Sequence, residues 1–185
     1  MRIIGGGARG IKLEAGDNPV TRPTTDRLKE TLFNMIGNLE GDVVADVFAG
    51  SGALGLEALS RGASKVYFIE NDFQTMKIIK SNYEKVKKSM AGTCGDVEFI
   101  CQDWRQALSQ INTELDVLIS DPPYGEDSEL ARELLSSEEL LKAGTDNLFV
   151  ILEHLTRSQL SSESWKRLKV KHCNPTSFSF FERTK

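Results

Sequence analysis

No stretch of this chain is apolar for long enough to cross a membrane, and the first twenty residues lack the apolar segment of a secretory leader. Cysteine is scarce. Cys94, Cys101 and Cys173 lie far apart, and none stands in a CxxC or Cys/His spacing. Neither a disulfide framework nor a metal site is expected, and the thiols are read as reduced in a cytoplasmic protein. No internal repeat, low-complexity tract or long linker interrupts the chain. Gly5-Gly6-Gly7 lacks the Lys-Ser/Thr and the helix that would make it a phosphate loop. An excess of positive charge is missing too. Lys and Arg number 23 against 27 Asp and Glu, a net charge of −4. That balance does not favour a nucleic-acid partner unless the cations cluster. What remains is the composition of a soluble globular protein, with 185 residues fitting one domain with a sizeable core.

Two short alternating runs around the glycines of residues 5–10 predict a hairpin over residues 1–14. A helix follows Arg22-Pro23-Thr24-Thr25-Asp26, capped by a threonine, with Leu28, Leu32, Met35 and Ile36 on one face and Gly37 or Gly41 at its end. Residues 1–40 thus form an N-terminal extension, and from 41 onward strands and helices alternate. Strands are expected at Val43–Val47, Val66–Glu70, Val97–Cys101, Leu115–Ser120 and Asn147–Glu153. Helices are expected at Ala53–Arg61, Phe73 to about Met90, Trp104 to about Ile111, Glu129–Leu135, Ser137–Lys142 and near Arg157–Ser162. In the long helix, Met76, Ile79, Tyr83, Val86 and Met90 make the buried stripe, and Lys77, Lys80, Lys85, Lys87 and Lys88 the opposite face. Trp165–Cys173 and Thr176–Glu182, parted by Asn174-Pro175, read as an antiparallel pair. Repeated βα units imply an α/β, doubly wound, mostly parallel sheet with helices on both faces.

Two stretches carry chemistry. Gly50, Gly52 and Gly55 give GxGxxG spacing between a strand and a helix, and Glu70 ends the next strand. That pair of features suits a dinucleotide, whose ribose hydroxyls the acid would take. Three features suit S-adenosylmethionine better. Asp46 precedes the glycines, where it repels a pyrophosphate and welcomes an ammonium. The third strand ends in Gln102-Asp103-Trp104, whose acid can accept from an adenine amino group. The fourth ends in Asp121-Pro122-Pro123-Tyr124. Acids at 46, 70, 103 and 121 end successive strands, an order that suits S-adenosylmethionine, with its sulfonium, ammonium, ribose diol and adenine amino group, better than a dinucleotide. The second stretch is Asp121-Pro122-Pro123-Tyr124 itself. It is either a tight turn or a rigid shelf for a planar amino-bearing group. In the second case Tyr124 stacks on the ring, while Asp121 and a proline carbonyl accept from the NH2. Candidate donor-site residues are Asp46, Phe48, Ala49, Gly50, Ser51, Gly52 and Gly55 from the first loop, then Glu70, Asn71, Gln102, Asp103 and Trp104. Candidate catalytic residues are Asp121, Pro122, Pro123 and Tyr124.

Met1-Arg2-Ile3-Ile4-Gly5-Gly6, Arg22-Pro23-Thr24 with Asp26-Arg27, the run from Asp46 to Ala63, and Asp121-Pro122-Pro123-Tyr124 follow one another. Together they resemble the RsmD family, bacterial methyltransferases that act on a guanine N2 of small-subunit ribosomal RNA. The resemblance covers nearly the whole chain. Ala45 and Val47 stand where the family commonly has leucines, and the basic residues usual after Arg9-Gly10 are reduced to Lys12. The resemblance implies a seven-stranded Rossmann-like sheet with the last strand antiparallel, S-adenosylmethionine as methyl donor, and 16S ribosomal RNA or the assembling subunit as acceptor. A monomer without metal is expected. The cations of the N-terminal extension, Arg2, Arg9, Lys12, Arg22 and Arg27, are then the candidate RNA contacts. A DNA adenine-N6 or protein glutamine-N5 methyltransferase shares the tetrapeptide. No separate target-recognition domain fits in 185 residues, which disfavours the DNA enzyme. A non-catalytic protein that binds S-adenosylmethionine or RNA is the alternative of another class, and the intact tetrapeptide argues against it.

Overall fold

The computed structural model describes residues 1–15, 26–123, 125 and 127–184. The elements are α1 (Asp26–Ile36), β1 (Val43–Val47), α2 (Ala53–Ser60), β2 (Lys65–Ile69), α3 (Phe73–Ser89), β3 (Asp96–Ile100) and α4 (Trp104–Gln110). They continue with β4 (Leu115–Ser120), α5 (Glu129–Leu135), α6 (Glu138–Ala143), β5 (Gly144–Leu155), β6 (Trp165–His172) and β7 (Thr176–Arg183). One seven-stranded sheet has the order β3-β2-β1-β4-β5-β7-β6. β1 to β5 pair in parallel, while β7 lies antiparallel between β5 and β6. Strand order reverses between β1 and β4, the switch point at which sheets of this kind open a crevice.

Alternation along the strands sends side chains to two cores, one on each face. Val44, Val66, Phe68, Val117, Ile119, Ile151, Phe178 and Phe180 pack with the N-terminal hairpin and with α1, α2 and α3. Ala45, Val47, Tyr67, Leu118, Val150, Leu152 and Phe181 pack with α4, α5 and α6 on the other face. β7 supplies both cores from successive residues, Phe180 to one and Phe181 to the other.

The stripe expected of α3 is buried in full: Met76, Ile79, Tyr83, Val86 and Met90. That of α1 is only partly so. Leu32 is buried, Leu28, Met35 and Ile36 are half-buried, and Lys29 and Phe33 take core positions beside it. Gly37, at φ +90°, ends α1. The threonine cap proposed for α1 and its neighbour Arg22 lie outside the described residues. The helix expected near Arg157–Ser162 is absent, replaced by a turn at residues 156–157 and irregular chain beyond. Its backbone and hydroxyls are engaged elsewhere. Thr156 N–H donates to Pro175 O at 2.9 Å, and Ser158 Oγ donates to Asp127 Oδ1 at 2.8 Å. Serines that bond outward in this way compete with a helical turn. Among the described residues no helix is long and apolar enough to cross a membrane.

Candidate active site

Parallel register sets four strand ends in one row. Ile69 pairs with Ile100, Val47 with Ile69, and Ser120 with Val47. The loops beginning at Phe48, Glu70, Cys101 and Asp121 therefore leave the sheet side by side. At about 4.8 Å per strand the row is roughly 14 Å long. Sequence-predicted acids stand along it in the spatial order Asp103, Glu70, Asp46, Asp121.

The β1–α2 loop is a chain of strained and close-packed positions. Phe48 has φ 60°, an uncommon conformation for a bulky residue, of the kind found where a loop is held for a purpose. Ala49 N–H donates to Ile69 O at 3.0 Å and Gly52 N–H to Ala49 O at 2.7 Å. A Cβ on Gly55 would lie 2.5 Å from the Phe68 ring and 3.0 Å from Asp46 Oδ2. Glycine there lets α2 sit directly on the strands, so Gly55 reaches the site through Asp46 rather than on its own. Asp46 is buried, and its Oδ2 accepts the Gly55 N–H at 2.8 Å. Burial pushes its carboxyl up to about 8; the Gly55 N–H offsets part of this, and the Glu70 charge adds to it. Asp46 is thus a buried acid that still holds its proton at neutral pH.

Glu70 faces the same loop. One carboxylate oxygen accepts the Gly50 N–H at 3.0 Å and the other the Asp72 N–H at 3.0 Å. Asn71 and Gln102 are exposed, with Gln102 Oε1 accepting from Gln110 at 2.7 Å. Asp103 caps α4, accepting the Arg105 N–H at 3.0 Å. Its carboxylate also accepts from Arg105 Nη1, at 3.0 and 3.1 Å, while the same guanidinium bonds to Glu133 on α5. Any adenine amino group would share Asp103 with Arg105. Trp104 is buried beneath this pair, with the Arg105 guanidinium 4.5 Å from its ring centroid. Its side chain is a floor of the core, not an exposed stacking surface. Ser51 lies half-buried, and its carbonyl accepts from Asn82 Nδ2 at 3.0 Å.

On the other side of the row, Asp121 is half-buried, Pro122 buried and Pro123 exposed. Tyr124 lies outside the described residues. The far end of this loop is fastened by a cluster that sequence reasoning missed. Ser128, buried and at φ 55°, accepts the Leu155 N–H on its Oγ at 2.9 Å. Ser158 bridges Ser128 Oγ, at 3.2 Å, and Asp127. Arg132 clamps Asp127 Oδ2 through both terminal nitrogens at 2.8 Å. The Ser158 hydroxyl, then Arg132, hold the Asp127 carboxyl below its ordinary value. The segment after the prolines is thereby tied to the end of β5.

The N-terminal hairpin is short, with a single bridge between Arg2 and Lys12. It docks on the C-terminal turn of α2. Buried Glu57 accepts the N–H groups of Ile4 and Gly5, each at 2.8 Å, and Arg61 Nε at 2.9 Å. Ser60 Oγ accepts the Ala8 N–H and donates to Gly5 O. Buried Lys29 donates to Arg2 O, and burial lowers its pKa. A Cβ on Gly6, at φ +70°, would lie 1.6 Å from Ser60 O. The glycine run therefore serves contact with α2. Of the proposed RNA contacts, Arg2 is paired with Asp26 at 2.9 Å, whereas Arg9, Lys12 and Arg27 are exposed.

The family model described as "Conserved hypothetical protein 95" matches residues 1–182. The chain is 41% identical over 125 residues to Ribosomal RNA small subunit methyltransferase D of Escherichia coli strain K12, covering 67% of this chain and 60% of that protein. It is 35% identical over 186 residues to the protein of the same name from Haemophilus influenzae, covering 98% and 93% of the two. The solved structure of Escherichia coli yhhF aligns with a TM-score of 0.80 at 29% identity, over 100% of this chain and 98% of that one.

Proposed function

Since the chain belongs to the RsmD family of methyltransferases, we propose that it transfers a methyl group from S-adenosylmethionine to the exocyclic N2 of a guanine in small-subunit ribosomal RNA. The observation that carries this reading is the register of β1 with β4, Val47 beside Ser120. It puts the loop of buried Asp46 next to Asp121-Pro122-Pro123, which supports reading the first as the donor side and the second as the acceptor side.

The residues present suit the donor. Asp46, neutral when alone in its pocket, releases its proton in favour of an ammonium. Glu70 accepts from the ribose hydroxyls, and Asp103 from the adenine amino group in competition with Arg105. Positive φ at Phe48 and the glycines behind it give the backbone close approach. Bound there, S-adenosylmethionine supplies an electrophilic methyl on a sulfonium.

The rest falls to the acceptor side. A guanine N2 is a poor nucleophile because its lone pair is delocalised into the ring. Hydrogen bonds from N2–H to the Asp121 carboxylate and the Pro122 carbonyl favour a more tetrahedral nitrogen. Tyr124, on the strength of the sequence motif, stacks on the base, which must leave any helix to reach it. Catalysis then rests mainly on position, and the Asp127–Ser128–Ser158 fastening holds the acceptor loop in place. Exposed Arg9, Lys12 and Arg27 supply phosphate contacts. Incubating the protein with labelled donor and small-subunit rRNA from a strain lacking the modification tests the reading. Label is expected in the RNA; donor binding without transfer would leave only a binding protein.

A further inference from the structure

We propose that the outer strand β6 is a second RNA-binding surface, which takes the phosphate backbone of the acceptor strand beside the guanine; this rests on the rRNA reading above. β6 carries Lys166, Arg167, Lys169 and Lys171, and no acid stands between residues 164 and 181. In a chain with net charge −4, this is a local excess of positive charge, the footprint a polyanion recognises.

The placement suits the acceptor. β6 runs parallel to β4 and β5, since each of its neighbours across β7 is reversed. Its C-terminal end thus lies at the same edge of the sheet as Asp121. Three strand spacings separate β4 from β6, roughly 14 Å, a distance a few nucleotides cover. Residues paired across β6 and β7 share a face. Lys169 pairs with Phe180 and Lys171 with Phe178, and both phenylalanines pack into the core shared with the hairpin and α1. The lysines therefore face the side of the sheet that carries Arg9, Lys12 and Arg27.

The charges are also available. Lys166 is paired with Glu182 at 3.0 Å and Arg167 Nη1 donates to Leu160 O at 3.3 Å. Lys169 and Lys171 are exposed and make no ion pair among the described residues. Four of the five lysines of α3 are engaged: Lys77, Lys80 and Lys87 lie over Phe73, Phe99 and Tyr83, and Lys85 is paired with Glu14, leaving Lys88 exposed. Edge lysines also guard against strand-to-strand aggregation. Here the opposite edge, β3, carries Asp96 and Glu98. Edges of opposite charge attract one another between copies, so guarding alone does not account for the pattern. Leu168, exposed at the bulge between Arg167 and Lys169, adds an apolar contact amid the cations.

The test is the double variant Lys169→Gln/Lys171→Gln, with Lys87→Gln/Lys88→Gln as the comparison. Binding to a small-subunit rRNA fragment is measured across salt, alongside donor binding and thermal unfolding. The β6 variant is expected to bind RNA about tenfold more weakly at 0.15 M salt, with a salt slope flatter by about 1.4, taking about 0.7 per lost single-strand contact. Its KM for RNA should rise with kcat retained, and donor affinity and Tm should stay put. An unchanged salt slope overturns the proposal, as does loss from the α3 variant alone. So does a parent protein that self-associates in sedimentation and a β6 variant that merely stops doing so. Failure of the unsubstituted protein to bind or methylate rRNA is a separate result, which removes the rRNA reading and this surface together.

Discussion

Asp46 Oδ2 accepts the Gly55 N–H at 2.8 Å from a fully buried position, and this single bond ties β1 to α2 beside the proposed donor site. Its carboxyl is raised from 3.8 to about 8. Below about 8 the folded protein holds a proton that the unfolded chain loses above about 4. Stability of the ligand-free protein therefore falls as pH rises across that window, on the order of 1 kcal/mol per pH unit. Asp46→Asn keeps an acceptor for Gly55 and removes the titration. Urea unfolding at pH 5, 6.5 and 8 should show a slope in the parent that the variant lacks.

The same proton reports on donor binding. An ammonium beside Asp46 favours the carboxylate, so binding at pH 7 should release up to about one proton and tighten toward pH 8. Calorimetry in two buffers of different ionisation enthalpy measures the release. Asp46→Asn should bind more weakly and release none.

Glu70 is the second proposed contact to the donor. Glu70→Ala removes charge-assisted hydrogen bonds worth about 1.5–3 kcal/mol, so donor affinity should drop by about tenfold or more. An unchanged Kd in a folded variant would take the ribose role away from it.

Glu57 separates folding from chemistry. Glu57→Ala leaves the N–H groups of Ile4 and Gly5 without their acceptor and Arg61 without its partner. A cost of about 3–5 kcal/mol is expected, as for a broken buried pair. Gly6→Ala should undock the same hairpin by steric conflict with Ser60 O. Both are read by denaturant midpoint and by proteolysis within residues 1–15.

Much of the proposed donor site is legible in local sequence because its parts are local. The glycine spacing, the acids that end successive strands and the α3 stripe each follow from a period or a motif a few residues long. Glu57 is not legible, because Leu56-Glu57-Ala58 reads as an ordinary solvent-facing helix turn. Arg61 is its one local partner, and the backbone groups it holds, those of Ile4 and Gly5, lie more than fifty residues away in the hairpin. Lys29 is hidden in the same way: a lysine in an amphipathic helix is expected outside, yet it reaches the Arg2 carbonyl through the core. Ser128, at φ 55° without being glycine, carries no turn signature. The helix expected at Arg157–Ser162 fails for the same reason, since the Ser158 hydroxyl is taken by Asp127 and Ser128, far away in the sequence. The purpose of the Gly5-Gly6-Gly7 run, contact with Ser60, appears only once α2 is in place.

The N-terminal cations give the RNA side a direct check. Arg9→Ala with Lys12→Ala should weaken RNA binding and flatten its salt dependence by about 0.7–0.9 per contact, leaving donor binding and thermal stability in place. Arg2, tied to Asp26, should contribute less than either.

Asp121 holds the centre of the account. Labelled S-adenosylmethionine and unmodified small-subunit rRNA are incubated in single turnover with the parent and with Asp121→Ala, and the RNA is then hydrolysed to nucleosides. Label in N2-methylguanosine from the parent, and none from a variant that still binds donor, is the expected result. Label in another nucleoside, or near-normal transfer by the variant, would contradict it.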